Sequence, residues 1–246
     1  MPTSSSPKVS VVIPCFNYGH YLAECIESVL EQTYPAHEII VVDDESTDDT
    51  REVVQRYAEK GVTYIWQKNK GLAGTRNTGI RESTGDYYMT LDADDKLVPG
   101  ALEEHIKLID DDKCCAQNAL MEFGDRHVIN IPPKNTSLEQ VMQANTMYCN
   151  TLFPKKAWEE VGGYDESDTM RLGYEDWEFN IRVLAAGYHV RTSDFIALRY
   201  RVHEGQMTQA TAHPKRQVLY GYIYQKHREL YEDRHLTVAG LIQNEQ

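Results

Sequence analysis

The run Asp92-Ala93-Asp94-Asp95 places two carboxylates one residue apart directly after an apolar stretch. Such a pair can hold a divalent cation, which neutralises a diphosphate and promotes its departure as a leaving group. Asp92 and Asp94 fit that need. A second acidic pair, Asp43-Asp44, follows the apolar residues 39–42, and a third, Glu175-Asp176, opens a helical pattern. His203 offers an imidazole, a common ligand for borderline cations. Each group also has a plainer reading: Asp43-Asp44 as a helix cap near Ser46, the 92–95 run as a solvated turn, Glu175-Asp176 as first-turn carboxylates favoured by the helix dipole, and His203 as a surface histidine. Nucleotide fingerprints are missing, with no GxGxxG after the first apolar run and no GxxxxGK[ST] anywhere, so phosphates would have to be handled through an ion.

The elements that must position these groups follow from periodicity. Residues 9–13, 39–42, 62–66 and 87–91 are short β-branched runs, and helical patterns separate them. Leu22, Ile26, Val29 and Leu30 predict a helix over 21–31; residues 46–49 offer N-cap chemistry for a second; a third covers 72–82; a fourth follows Pro99. This is the α/β class, a mostly parallel central sheet flanked by helices. In open sheets of this kind ligands bind beyond the carboxyl ends of the strands, where Asn17, Asp43-Asp44 and residues 92–95 fall.

From Lys113 the pattern loosens. Residues 131–134 mark a loop, 137–144 a helix, 153–161 a return of regularity, and 175–186 a helix with Trp177, Ile181 and Leu184 on one face and Gly187 at its end. After residues 197–200 a polar loop leads to a C-terminal helix over 216–231. Its Tyr220, Tyr224, His227 and Tyr231 share one face, expected to pack on the domain rather than anchor it to a membrane. Trp177 is likewise expected to face the core rather than serve as a platform for a ligand.

Bulk properties bound the rest. The 246 residues suit one folding unit. A net charge of -13 and a pI near 5.1 argue against sequence-independent nucleic-acid binding, which needs clustered Lys and Arg. No apolar run approaches the ~20 residues that span a bilayer, and no signal peptide is visible, so the expected location is the cytoplasm, with peripheral association at the inner membrane surface as an option. Five cysteines without CxxC pairs are expected to be reduced and mostly buried.

Taken in order, VSVVIPCFN (9–17), VVDDESTD (41–48), GLAGTRNTGI (71–80) and LDADD (91–95), then GYEDWEF (173–179) and RVH (201–203), resemble family-2 glycosyltransferases of the GT-A fold. The ordered match covers the first hundred residues. The resemblance implies an inverting transferase that moves a sugar from a nucleotide diphosphate donor, a UDP-sugar, to an acceptor hydroxyl with Mn²⁺ or Mg²⁺. It implies that Pro14 and Asn17 shape the nucleotide pocket and that Asp44, with Asp43, reads the base. Lys70 and Arg76 approach the ribose or diphosphate, and Asp92 and Ala93 line the donor site. Asp94 ligates the metal, Asp92 faces ribose or metal, His203 completes the site, and Asp95 orients either acceptor or loop. Inversion needs a carboxylate opposite the leaving nucleotide, which makes Asp176 the general base and Glu175 its neighbour for acceptor or loop.

The acceptor is then a glycan, a lipid-linked or a small-molecule hydroxyl, and nucleic acid is not a partner. The catalytic domain is expected over 1–210, with a nucleotide-binding half at 1–98 and an acceptor half at 99–210, followed by a helical tail over 211–246. The rivals are a non-catalytic sugar-nucleotide or glycan-binding subunit and a sugar nucleotidyltransferase. The latter would carry a Gly-rich basic loop after the first strand, where PCFNYGH (14–20) stands instead.

Overall fold

The computed structural model describes residues 6–125, 127–134, 136–207 and 212–236, so part of the expected tail, residues 211 and 237–246, lies outside the described residues. Strand β1 (Val9–Cys15) is buried along its whole length, as is most of β2 (Glu38–Asp43). A strand covered on both faces needs an unbroken apolar run, which is why these segments read so clearly in the sequence. With β3 (Val62–Trp66) and β4 (Tyr87–Thr90) they form a parallel set in the order β3-β2-β1-β4. The crossovers are α1 (Gly19–Leu30), α2 (Thr50–Gln55) and α3 (Gly71–Glu82). Gly79 of α3 permits close helix-to-sheet packing: a Cβ there would stand 2.3 Å from a Val12 methyl.

Beyond β4 come β5 (Lys96–Leu97), α4 (Ala101–Leu108), β6 (Cys114–Gly124), β7 (Ile129–Asn130), α5 (Leu138–Gln143) and β8 (Leu152–Pro154). Then follow α6 (Lys155–Val161), α7 (Glu175–Ala185), β9 (His189–Val202), α8 (His213–Lys226) and α9 (Arg228–Asp233). The full sheet runs β3-β2-β1-β4-β8-β6-β9-β5, with β7 paired to β6. Strand β8 enters antiparallel to β4, while β6 and β9 form a long parallel ladder with a register shift between Gln117 and Leu120. The parallel expectation therefore describes the first four strands and the β6–β9 ladder, and short antiparallel pairings join them.

One face of the sheet packs α1, α2 and α4 over Val11, Ile13, Leu22, Ile26 and Leu102. The other packs the C-terminal half around Val12, Ile80, Phe153, Phe179 and Ile181. Trp177 sits in this second layer, fully buried, and donates its indole N–H to the Val141 carbonyl, so it is a core residue. The C-terminal helix expected over 216–231 is two helices that break at His227. His227 there meets buried Glu178, and the Tyr231 hydroxyl donates to the Met142 carbonyl 2.8 Å away, which turns the chain back on the domain. Burial alone would raise Glu178, yet His227, Arg182 and Lys226 around it hold its carboxyl down to about 2. Tyr220 and Tyr231 point into the core, as packing rather than anchoring requires. Among the described residues, no helix is long and apolar enough to cross a membrane. All five cysteines are free, and four are buried.

Candidate active site

The carboxyl ends of β1, β2 and β4 open onto a cavity of about 440 Å³ whose wall includes Pro14, Asp44, Asp92, Ala93 and Asp94. Asp44 organises this wall as well as facing it. Its Oδ1 accepts from Gln67 Nε2 (2.6 Å) and the Lys70 backbone N–H (2.9 Å), and its Oδ2 accepts from the Gly71 N–H (2.9 Å). The carboxylate thereby caps α3, where Gly71 adopts φ +76°, a conformation that favours glycine. Asp43 lies behind the wall, accepting from the Ser46 N–H (2.8 Å) and the Tyr64 hydroxyl (2.6 Å). Asn17, at φ 59°, accepts from the Thr47 N–H and donates its own N–H to Ser46 Oγ, so it ties two loops together and does not itself line the cavity. Lys70 is exposed and absent from the wall.

The acidic run divides by partner. Asp94 Oδ2 meets His203 Nε2 at 3.0 Å, and Asp95 Oδ1 accepts the Arg201 backbone N–H at 2.7 Å. Asp95 therefore fixes the loop. Its Oδ2 is buried without a hydrogen-bond partner among the described residues. Asp92 pairs with Arg76 Nη2 at 2.9 Å and also comes close to Asp95 and Cys149, the ligand atoms of the three lying within 4.8 Å of one another. Burial pushes the Asp94 carboxyl up, with Asp92 adding to it, and pushes Asp95 well up, with Asp94 and Asp92 adding. Crowded oxygens, one of them an orphan, and a nearby imidazole fit a hard or borderline divalent cation, whose charge would relieve the repulsion.

Arg76 lies under the junction between this cavity and a second. Only 3% of its side chain is exposed, and it grips Asp92 with one nitrogen and Glu175 with the other. The second cavity, about 290 Å³, is lined by Asp176, Asn145, Glu122 and Tyr174 and shares Leu72, Asp92, Tyr200 and Met207 with the first. Glu175 and Asp176 begin α7 after a turn in which Gly173 (φ 123°) and Tyr174 (φ 64°) take left-handed-side conformations. Asp176 Oδ1 accepts its neighbour's N–H from Trp177 at 2.7 Å, and Oδ2 accepts from Asn145 Nδ2 at 3.0 Å. Burial raises the Asp176 carboxyl, and burial lifts Glu175 to about 7 against the pull of Arg76. Two features here carry no signal in the sequence: Asn145, which reaches Asp176 from the far side of a loop, and Arg171, which lines the first cavity.

The raised carboxyls predict a sign for stability against pH. Asp94, Asp95, Glu175 and Asp176 all have folded-state values above their unfolded ones, so each contributes stability when protonated and loses it as pH rises through the folded value, about 7 for Glu175. Buried His105, lowered by burial from 6.5 to about 4, works the other way between those values. Across this window Glu175, with Asp95 raised well above its ordinary value, outweighs the part of the His105 effect that falls there. The metal-free protein is therefore expected to melt at a higher temperature near about pH 5.5 than near about pH 8. Scanning calorimetry decides, and a melting temperature that climbed with pH across this range would remove the account of crowded buried charge.

The fold is of the GT-A type. S. aureus TarS 1–349 in complex with UDP-GlcNAc superposes with a TM-score of 0.70 at 19% identity, covering 83% of this chain and 61% of that one. A mannosyltransferase from Pyrobaculum calidifontis in complex with GDP-Man and Mn²⁺ does so with a TM-score of 0.63 at 21% identity, covering 84% and 60%. The chain belongs to glycosyl transferase family 2, whose model matches residues 10–159; a model described as the N-terminal domain of galactosyltransferase matches residues 140–207. A glycosyltransferase of Rickettsia typhi is 29% identical over 216 residues, covering 82% of this chain and 66% of the relative. The Escherichia coli chondroitin synthase is 33% identical over 184 residues, covering 69% and 26%. The chain thus spans two thirds or less of the length of these curated relatives.

Proposed function

We propose that the protein is a metal-dependent, inverting glycosyltransferase that moves a sugar from a nucleotide diphosphate donor, a UDP-sugar, to an acceptor hydroxyl. The observation that carries this is the joining of two cavities at Asp92, one holding the acidic run and the other Asp176. The nucleotide occupies the first cavity, against Pro14, Asp44 and Ala93, within loops held by Asn17 and Asp43. Asp94, Asp92 and His203 would hold Mn²⁺ or Mg²⁺, which supplies positive charge to the departing diphosphate. Arg76 keeps Asp92 and Glu175 in register across the junction. In the second cavity Asp176 takes the proton of the attacking acceptor hydroxyl, which develops nucleophilic charge on the face opposite the leaving nucleotide. Asn145 and the Trp177 N–H occupy one lone pair on each of its oxygens and fix the carboxylate in place. The small second cavity suits a single terminal sugar or similar head group of a glycan or lipid-linked acceptor.

Support for the donor class comes from the solved neighbours, whose complexes contain UDP, UDP-GlcNAc, or GDP-Man with Mn²⁺. The catalytic unit is proposed to span 1–210, with 1–98 forming most of the nucleotide side. The test is release of nucleoside diphosphate from a panel of sugar nucleotides with Mn²⁺ and sugar acceptors. Turnover is expected with a UDP-sugar, to vanish with EDTA and return with excess Mn²⁺, and to be lost in Asp94→Asn at any Mn²⁺ concentration. No release from any donor, or full activity in EDTA, would defeat the reading or its metal dependence respectively.

A further inference from the structure

We propose that Arg171 clamps the donor's diphosphate, a role that rests on the sugar-nucleotide reading above. The wall of the first cavity presents Asp44, Asp92 and Asp94, and Arg171 is the single cation among its described residues. A diphosphate entering beside three carboxylates brings further negative charge, and one divalent ion leaves that assembly net negative. A second positive group is needed. A guanidinium suits it, because its planar fork matches two phosphate oxygens at once.

Neither of the two cations that the sequence suggested for this task lines this cavity. Lys70 is off the wall, with its Cβ packed 2.5 Å from the position a Gly74 Cβ would take. Arg76 is buried, and its two terminal nitrogens are on Asp92 and Glu175. Arg171 is different. Its side chain is exposed, and among the described residues it makes no ion pair; one nitrogen, Nη2, donates to Asn69 Oδ1 at 2.7 Å. Its Cγ, Nε and Cζ lie 3.3–3.5 Å from where a Gly71 Cβ would stand, which puts the guanidinium over the start of α3.

The position in the chain adds a consequence. Arg171 belongs to the short 3-10 turn Met170–Leu172, which runs straight into the Gly173-Tyr174 turn and the Glu175-Asp176 start of α7. Charge on the donor is thus read by the loop that presents the general base. A donor that seats Arg171 steadies the turn from which Asp176 projects.

The test compares UDP with uridine in the presence of Mn²⁺, by calorimetry and by NMR titration, for the wild type, Arg171→Ala and Arg171→Lys. Arg171→Ala is expected to weaken UDP by roughly tenfold to a hundredfold, the range for a charge-assisted pair, and to leave uridine unchanged; Arg171→Lys recovers part of the loss. Being exposed, the residue can be replaced without unfolding the chain, which an unchanged melting temperature verifies. Equal UDP affinity in Arg171→Ala and wild type overturns the assignment alone, as does an equal loss of UDP and uridine, which would place the residue on base or ribose. Wild-type protein that binds neither UDP nor GDP overturns the sugar-nucleotide reading and the clamp together.

Discussion

Asp176→Asn is expected to lower sugar transfer by about two to four orders of magnitude while nucleoside diphosphate binding survives, the range for loss of a positioned general base. Asparagine keeps the shape of the side chain, and its amide oxygen can still accept from the Trp177 N–H, so the α7 start should persist. What disappears is the oxygen proposed to take the acceptor proton. Calorimetric donor binding beside a discontinuous release assay separates the two effects. Asn145→Ala supplies a finer readout, because its hydrogen bond lowers the Asp176 carboxyl, so removing it raises that pKa. The base works deprotonated, and the acid limb of the rate profile should move to higher pH in Asn145→Ala. Turnover that persisted in Asp176→Asn would move the base elsewhere; a binding subunit would show no turnover to lose.

Arg76→Met is expected to cost about 3–5 kcal/mol of stability near neutral pH, the range for removing one partner of a buried ion pair. Methionine fills the stem's volume but leaves Glu175, 3% exposed, and the partly exposed Asp92 facing each other without a cation. The loss should shrink as pH falls through the region of about 7 where Glu175 takes a proton, since an uncharged carboxyl needs no counter-ion. Urea unfolding near about pH 8 and near about pH 5.5 measures both numbers. Arg76→Met with Glu175→Gln should recover part of the loss, because the pair shares one interaction. A single variant within about 1 kcal/mol of wild type at the higher pH would show that water already screens the cluster.

β1, β2 and β4 were legible because buried parallel strands are mostly apolar, and the half-exposed edge strand β3 was legible by its β-branched and aromatic residues. β6 was not, since Gln117 and Asn118 interrupt it; both are fully buried, and they meet the Thr146 carbonyl and the Ser193 hydroxyl, partners that lie far off in sequence. β9 mixes a polar stretch, residues 191–194, with a short apolar run along a half-exposed ladder, and only residues 197–200 stood out as strand. At the site, acidic pairs at strand ends and at a helix start were visible as local patterns. Asp44 was legible as a wall residue, but its capping of α3 depends on a turn 26 residues away. Asn145 and Arg171 act across loops whose course no local periodicity encodes.

The end of β9 binds the acidic run from across the chain: Arg201 holds Asp95 by its backbone and the Asp94 carbonyl by its side chain, and His203 holds the Asp94 carboxylate. These bonds span 106 to 109 residues. The donor half is consequently not a transplantable cassette. A chimera that borrows residues up to 98 from a relative to change the sugar nucleotide must import the last turn of β9 with them, or its acidic loop will arrive without the strand that shapes it.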